Sequence, residues 1–592
     1  MPTRLEARDP IREISEDYRW IFIALLAIVV GAVGGLGAVI FRGLIELVRT
    51  IFFSGLLSHA PSPYFVVLLP IIGGLIVGPI VYSIAPETRG DGIPAIMEAV
   101  HKRGGLIRKR VCLFVITAAA ITAGSGGSAG REGPIAQIGA SFGSAIGQIL
   151  KLGGGEMRVL ATCGVAAGIA GTFNAPMGGA IFSMEVISRR FSASDAVPVL
   201  LAAVVGNAVA ASFIHPVPDF ILPKFVFTTY DLAICFILGP LFGLLAGIWV
   251  RAYYVFEDLF SRLPIKNELK PAAGGIVAGI SGLYLLDYGI MGVGYDGINH
   301  VFRTVTPDSS YGLVAFLLLL VAVKVLATSF TVGSGGSGGL FAPTLYLGSM
   351  LGAAFGITVY HALPGMVAAP AAYGLLGMGA FFAGAARAPL TCIVMIPEMA
   401  SNYSRLPPLI ISCILSAAVA QIVLKGGSMY TIRLMRRGIF VDVPEPVLES
   451  IPIGEIMQRQ VTTVTPEMTV LDVRDAIAKY NYTGYPVVKD EDLVGMITFD
   501  DVRKVPPEGQ GKTLVKDVAV KNVIFARPDQ SVKLAMDIMY KNGIGRLPVV
   551  ASDNSRRLLG IITRTDVIKA YEQKTKEMQP RELKEIEGEH KG

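Results

Sequence analysis

Between residues 19 and about 430 the chain alternates long apolar runs with short polar connections, and after Arg433 it changes to short alternating segments rich in charge. The runs at 21–40, 65–84, 232–250, 313–327 and 409–424 read as membrane-spanning helices, since a crossing takes about 20 apolar residues. The run at 111–123 is shorter, and it ends in Gly124-Ser125-Gly126-Gly127-Ser128-Ala129-Gly130. Such a glycine cluster interrupts a helix and frees backbone N–H groups. In hydrocarbon that is tolerated only where the freed groups face protein or a water-filled path. Short apolar segments broken by glycine therefore point to a transport site.

The pattern repeats. Thr122 to Pro134 (TAGSGGSAGREGP) returns as Thr331 to Pro343 (TVGSGGSGGLFAP). At one constant offset the register holds through Gly124/Gly333, Gly130/Gly339 and Pro134/Pro343, and on through Gly139/Gly348, Gly143/Gly352 and Gly147/Gly356. A second pair follows each copy: Asn174-Ala175-Pro176 with Glu185, and Arg387-Ala388-Pro389 with Glu398. Duplicated membrane units are often inverted, with broken helices meeting near the midplane. A helix N-terminus there offers about half a positive charge and several free donors. Two or three converging N-termini make an anion site without a formal cation. The competing reading gives the glycines only a close-packing role.

Composition agrees with this division. Apolar residues are 52% and charged residues 17% of the chain, where a soluble domain carries about a quarter charged. The net charge of +6 is modest. The basic residues (Lys102, Arg103, Arg108, Lys109, Arg110, Arg189, Arg190, Arg433, Arg436, Arg437) flank apolar runs, as cytoplasmic ends do. No basic run has the aromatic interleaving of a nucleic-acid platform, so no nucleic-acid partner is expected. The mixed charge of the first eighteen residues is not that of a secretory signal and places the N-terminus in the cytoplasm. Cys112, Cys163, Cys235, Cys392 and Cys413 lie inside apolar runs without CxxC spacing and read as packing residues rather than disulfides or metal ligands. No nucleophile–base constellation suggests an enzyme.

In order along the chain stand Gly90-Asp91-Gly92-Ile93-Pro94, Gly130-Arg131-Glu132-Gly133-Pro134, Gly339-Leu340-Phe341-Ala342-Pro343 and Tyr430. With these motifs the sequence resembles the CLC family of chloride channels and proton-coupled chloride exchangers over nearly its whole length. The resemblance implies an α-helical polytopic membrane protein with an inverted internal repeat and broken helices, assembled as a homodimer with a path in each subunit. It implies that Glu132 is the gating glutamate, mimicking and displaced by the permeating ion. Anion binding would fall to Asp91, Gly92, Ile93, Arg131, Gly133, Leu340, Phe341 and Tyr430. The N–H groups of Leu340 and Phe341 would line the path and the Tyr430 hydroxyl would donate to the central anion.

Two positions depart from the family pattern. Asp91 stands where the family usually has a serine hydroxyl donor, and an ionised aspartate only accepts. The expectation is a carboxylate turned aside, leaving the N–H groups near Gly92 and Ile93 for the anion; a protonated, donating Asp91 is the other reading. Val186 stands where exchangers commonly have an internal proton-accepting glutamate, directly after the position of Glu185. Valine carries no proton, which favours passive conduction. Glu185, with its counterpart Glu398, reads as a cap for free N–H groups.

The C-terminal pattern also repeats. Thr463-Val464-Thr465-Pro466, Tyr485-Pro486-Val487-Val488 and Gly495 to Asp501 form one copy. Phe525-Ala526-Arg527-Pro528, Leu547-Pro548-Val549-Val550 and Gly560 to Asp566 form the other. This resembles an α/β pair of CBS domains, in which a Thr-x-x-Asp motif often holds a nucleotide ribose. Thr498/Asp501 and Thr563/Asp566 fit, which implies ATP or another adenine nucleotide as a regulatory ligand. Helix N-capping is the equal alternative.

The expected organisation is thus a membrane domain at 1–440 (repeats roughly at 19–215 and 228–440), a linker at 441–452, paired domains at 453–572 (about 453–506 and 515–572) and a charged tail at 573–592. The expected activity is chloride transport through a lipid-embedded plasma-membrane protein, its C-terminal domains cytoplasmic and no cofactor required. A passive channel gated by Glu132 is favoured. A proton-coupled exchanger is the alternative, and a CBS-regulated divalent-cation transporter a distant third.

Overall fold

The computed structural model describes residues 16–214, 220, 227–401, 406–437, 439, 448, 451–480, 482–542, 544–553, 556–567 and 569–570. The chain divides into two compact units, Met1–Val441 and Asp442–Gly592. Of the expected linker only 448, 451 and 452 are described, and the charged tail lies outside the described residues.

The first unit is helical and falls into two halves of matching order. The first half holds α1 (Glu16–Arg49), α2 (Leu68–Pro79), α3 (Ile93–Lys102), α4 (Arg110–Gly124), α5 (Glu132–Ile149), α6 (Gly154–Phe173), α7 (Pro176–Phe182) and α8 (Ala193–Phe213). The second holds α9 (Thr229–Arg262), α10 (Lys270–Leu285), α11 (Tyr295–Thr304), α12 (Tyr311–Gly333), α13 (Phe341–Ala362), α14 (Pro370–Ala386), α15 (Pro389–Met399) and α16 (Leu406–Val423). A short α17 (Thr431–Met435) follows. Eight of the described helices, some with a flanking turn, are long and apolar enough to cross a membrane, and they include all five runs expected above. The three others are Ala193–Phe213, Asn267–Tyr288 and Phe341–Ala362.

The duplication extends to single dihedral angles. Gly126 and Gly335 close α4 and α12 with φ of 100° and 108°, and Asn174 and Arg387 end α6 and α14 in the left-handed region at 52° and 55°. Gly130 and Gly339 exchange both backbone hydrogen bonds at 2.7 Å across an antiparallel bridge. A reciprocal bridge between equivalent residues with reversed chain direction is the local signature of a two-fold axis. The repeat is inverted.

The later glycines have a different job from those at the breaks. A Cβ built on Gly164 in α6 would lie 1.9 Å from the Gly139 carbonyl oxygen in α5, and one built on Gly139 would lie 2.0 Å from that of Gly164. In the other half Gly348 and Gly377 stand in the same relation, each 2.5 Å from the partner's carbonyl. Backbones touch there because neither residue has a side chain. The close-packing reading holds for these positions and the broken-helix reading for Gly124 to Gly130. All five cysteines are free thiols: Cys163, Cys235, Cys392 and Cys413 are buried and Cys112 partly so.

The second unit contains two antiparallel two-stranded sheets, β1 (Gly484–Lys489) with β2 (Asp492–Thr498) and β3 (Arg546–Val550) with β4 (Leu558–Thr563). Both shift register at the same place, between Val487 and Val488 and between Val549 and Val550. Tyr485, Val487 and Ile497 build one core, and Leu547, Val549 and Ile562 the other.

Candidate functional site

The N-termini of α3, α5, α11 and α13 are tied together by two buried carboxylates. Each helix follows a break that the sequence dictates: Gly90, Gly292 and Gly294 take positive φ ahead of α3 and α11, and the Gly130–Gly339 bridge sets the starts of α5 and α13. The result is a group of backbone donors held apart from water by packed aromatic rings. Phe341 lies against Phe173, Phe182 and Phe382 with ring centroids 5.3, 5.8 and 4.3 Å away.

Glu132 is the first residue of α5 and is only 1% exposed. Its Oε1 accepts from the Tyr295 hydroxyl at 2.6 Å, and its Oε2 from the Ala342 N–H at 3.4 Å. The carboxylate therefore occupies donors of a foreign helix terminus, as an anion would. The Arg131 guanidinium is stacked 5.3 Å over the Tyr295 ring, and its positive charge acts on the Glu132 carboxylate. It lines a cavity of about 780 Å³ that also reaches Tyr295, Met291 and Gly294. The charged side chains there are Arg42, Arg49 and Arg131 against Glu46, Asp287 and Asp296. The charges balance, so the cavity is not a positive trap.

Asp91 corrects the expectation that its carboxylate turns aside. Oδ1 accepts from the Ile93 N–H at 3.0 Å and Oδ2 from the Leu340 N–H at 2.9 Å. The carboxylate thus bridges α3 and α13 and takes the donors expected to serve the anion. The cause is simple: two helix N-termini attract the nearest negative charge, and Asp91 is tethered two residues before one of them. Room for it exists because Gly133 has no side chain; a Cβ there would lie 2.7 Å from Oδ1. Gly92 is pinched likewise, its Cβ position 2.4 Å from Gln137 Oε1. At the same cluster Tyr430 is 1% exposed. Its ring packs on Phe182 with centroids 6.5 Å apart, and its hydroxyl has no hydrogen-bond partner among the described residues.

Tyr295 lies outside the quoted motifs, and Ala342 lies inside the third of them but was not among the expected donors. Tyr295 had a signal, because Gly292-Val293-Gly294-Tyr295 repeats the Gly90-Asp91-Gly92-Ile93 pattern ahead of the equivalent helix, with Gly90 and Gly292 at φ of 71° and 66°. A buried cation holds this loop. Lys324 Nζ in α12 donates to the carbonyls of Gly289, Ile290 and Gly292 at 2.9, 3.0 and 3.3 Å. Its removal leaves three carbonyls unpaired, at about 1–3 kcal/mol for each buried group. Lys324→Met is expected to lower stability by about 3 kcal/mol or more, read as the thermal unfolding midpoint in detergent.

The two glutamates of the repeat cap each other's half. Glu185 accepts from the Leu390 and Thr391 N–H groups at the start of α15, at 3.1 and 2.7 Å. Glu398 accepts from Met177 and Gly178 at the start of α7, at 3.1 and 2.6 Å. The capping expectation for Glu185 holds. Val186 next to it is buried in apolar surroundings.

In the second unit Thr498 and Asp501 form a capping box on the helix Phe499–Lys504. Thr498 Oγ1 donates to Asp501 Oδ2 at 2.6 Å, and Lys504 holds Oδ1 at 3.0 Å. Thr563 and Asp566 repeat the bond at 2.6 Å, and Gln458 donates to Asp566 at 2.9 Å. Helix capping is the arrangement present, so a nucleotide ribose would compete with these bonds. Burial pushes the Asp501 carboxyl up, but the Thr498 and Lys504 hydrogen bonds outweigh it and hold it below the usual carboxylate range. A depressed carboxyl stabilises the fold above its unfolded value and loses that contribution as pH falls through the folded one. Amide protection of residues 499–504 is accordingly expected to fall below about pH 4. Asp501→Ala should cost about 1 kcal/mol there at neutral pH, seen by hydrogen exchange.

Comparison with known proteins gives a consistent picture. The family model described as "Voltage gated chloride channel" matches residues 73–421, and the CBS domain model matches 453–508 and 515–573. The chain is 30% identical over 445 residues to the H(+)/Cl(-) exchange transporter ClcA of Salmonella paratyphi B, covering 73% of this chain and 92% of that one. It is 27% identical over 578 residues to the chloride channel protein CLC-f of Arabidopsis thaliana, covering 84% and 72%. A solved structure of a slow cyanobacterial Cl-/H+ antiporter superposes with a TM-score of 0.64 at 28% identity, covering 70% of this chain and 97% of that one.

Proposed function

The chain belongs to the voltage-gated chloride channel (CLC) family, and on that premise we propose that it carries chloride across the membrane in exchange for protons. Anion transport of the CLC type follows from membership. The coupled reading is preferred to the passive channel favoured by Val186 alone, because the relatives and the structural neighbour named for their activity include exchangers. The observation that carries it is the position of Glu132. Its carboxylate takes the Tyr295 hydroxyl and the Ala342 N–H, donors that an anion would need. Like charges about 4 Å apart repel by roughly 4 kcal/mol at an effective dielectric near 20. An arriving anion therefore favours a Glu132 that has left or has bound a proton, and that alternation is the basis of exchange. The reading includes a homodimer with one path per subunit, in the plasma membrane.

The test uses liposomes with equal chloride on both sides and an imposed pH gradient. Coupled exchange moves chloride against no gradient of its own, driven by protons alone. Chloride that stays balanced under a pH gradient, in vesicles shown to conduct chloride, leaves the passive channel.

A further inference from the structure

We propose that Asp91 is the second proton-carrying carboxylate of this transport path and that it releases the inner anion site when protonated. The inference rests on the coupled-exchange reading. Asp91 and Glu132 both sit on the N-terminus of α13, one on the Leu340 N–H and the other on the Ala342 N–H, two residues apart. Both are almost fully buried, at 5% and 1% exposure. Two tethered carboxylates thus occupy donors of one helix terminus, and no anion can use the Ile93 and Leu340 N–H groups while Asp91 holds them.

A third group at the cluster fits a ligand that is not a carboxylate of the chain. The Tyr430 hydroxyl is buried and unpartnered among the described residues, and it interacts electrostatically with both Asp91 and Glu132. It gains an acceptor when an anion replaces Asp91. Among the described residues, Arg433 of α17 and Tyr253 of α9 are the other charged or titratable groups that act electrostatically with Asp91. Arg433 is itself engaged, 3.4 Å from the Arg89 carbonyl and 3.8 Å from Glu257.

The step balances as a proton transfer. Protonated Glu132 gives its proton to an Asp91 oxygen, directly or through one water, and becomes the anionic occupant of the outer donors. Neutral Asp91 holds the two N–H groups weakly and turns off them. Chloride takes the Ile93 and Leu340 N–H groups and the Tyr430 hydroxyl. Glu132 then takes a fresh proton from the outer side and leaves the outer donors. Asp91 passes its proton to water on the side away from Glu132 and returns as a carboxylate, and the anion is expelled outward past the neutral Glu132. This gives a proton route that does not need a glutamate at the Val186 position.

The test compares wild type, Asp91→Asn and Asp91→Ser in liposomes, recording chloride and proton flux together. In each variant that still carries chloride, the proton-to-chloride ratio is expected to fall about tenfold or more. A wild-type ratio in either folded variant overturns the assignment. If neither variant carries chloride, chloride titration calorimetry on Glu132→Gln decides. Affinity about tenfold tighter at about pH 5 than at about pH 8 supports a titrating Asp91, and a pH-independent affinity overturns it. Absence of proton movement in wild type would defeat the coupled-exchange reading instead, and the calorimetric arm would still judge Asp91 by itself.

Discussion

Glu132→Gln is expected to abolish proton coupling and to leave chloride flux with only the pH dependence that Asp91 supplies. The amide keeps the shape of the side chain and can still accept from Tyr295, but it carries no charge and exchanges no proton. In the wild type the buried carboxylate competes with the anion for the Ala342 N–H. The repulsion of roughly 4 kcal/mol between like charges at contact is a generous limit, since the anion and carboxylate relax apart. Even a third of it is a factor of about ten in occupancy. The variant should therefore bind chloride about tenfold tighter and show a shallower pH profile than the wild type, whose flux rises as pH falls. Titration calorimetry and vesicle efflux measure the two effects separately. An unchanged pH profile would remove Glu132 from the gate.

Gly164→Ala is expected to destabilise the first unit strongly. The new Cβ would lie 1.9 Å from the Gly139 carbonyl oxygen and 2.4 Å from its carbon, both backbone atoms of a buried helix that cannot rotate away. The two helices must separate by about 1 Å, and overpacking of this kind costs about 3 kcal/mol. Because α5 begins with Glu132, the same shift displaces the gate, so transport should fall with the unfolding midpoint. Gly43→Ala is the control, with nothing within 4 Å of its Cβ, and it should behave as wild type. Equal midpoints for the two variants would refute the packing account.

The sequence made the duplication, the breaks and the reciprocal glutamates readable because each depends on local chemistry repeated in register. Gly126 and Gly335 need positive φ, and Glu185 and Glu398 follow a Pro at the first turn of the helix next to the one they cap. The spanning helix α13 was harder to see because Gly, Ser and Thr dilute its apolar face where it packs inside protein rather than against lipid. Asp91 was misplaced for an electrostatic reason. Its lack of a donor argues for a carboxylate turned aside, but its attraction to the same helix N-termini acts first because the carboxylate is covalently tethered. Tyr295 comes to Glu132 from 163 residues away along the chain, a contact that only the two-fold relation of the halves could have suggested.

Chloride efflux and proton uptake recorded together from liposomes with a chloride gradient test the central claim most directly. The account predicts that chloride running down its gradient drives protons uphill in a fixed ratio, and that Glu132→Gln keeps the chloride and loses the protons. Rapid chloride efflux from wild-type vesicles with no proton uptake would contradict it.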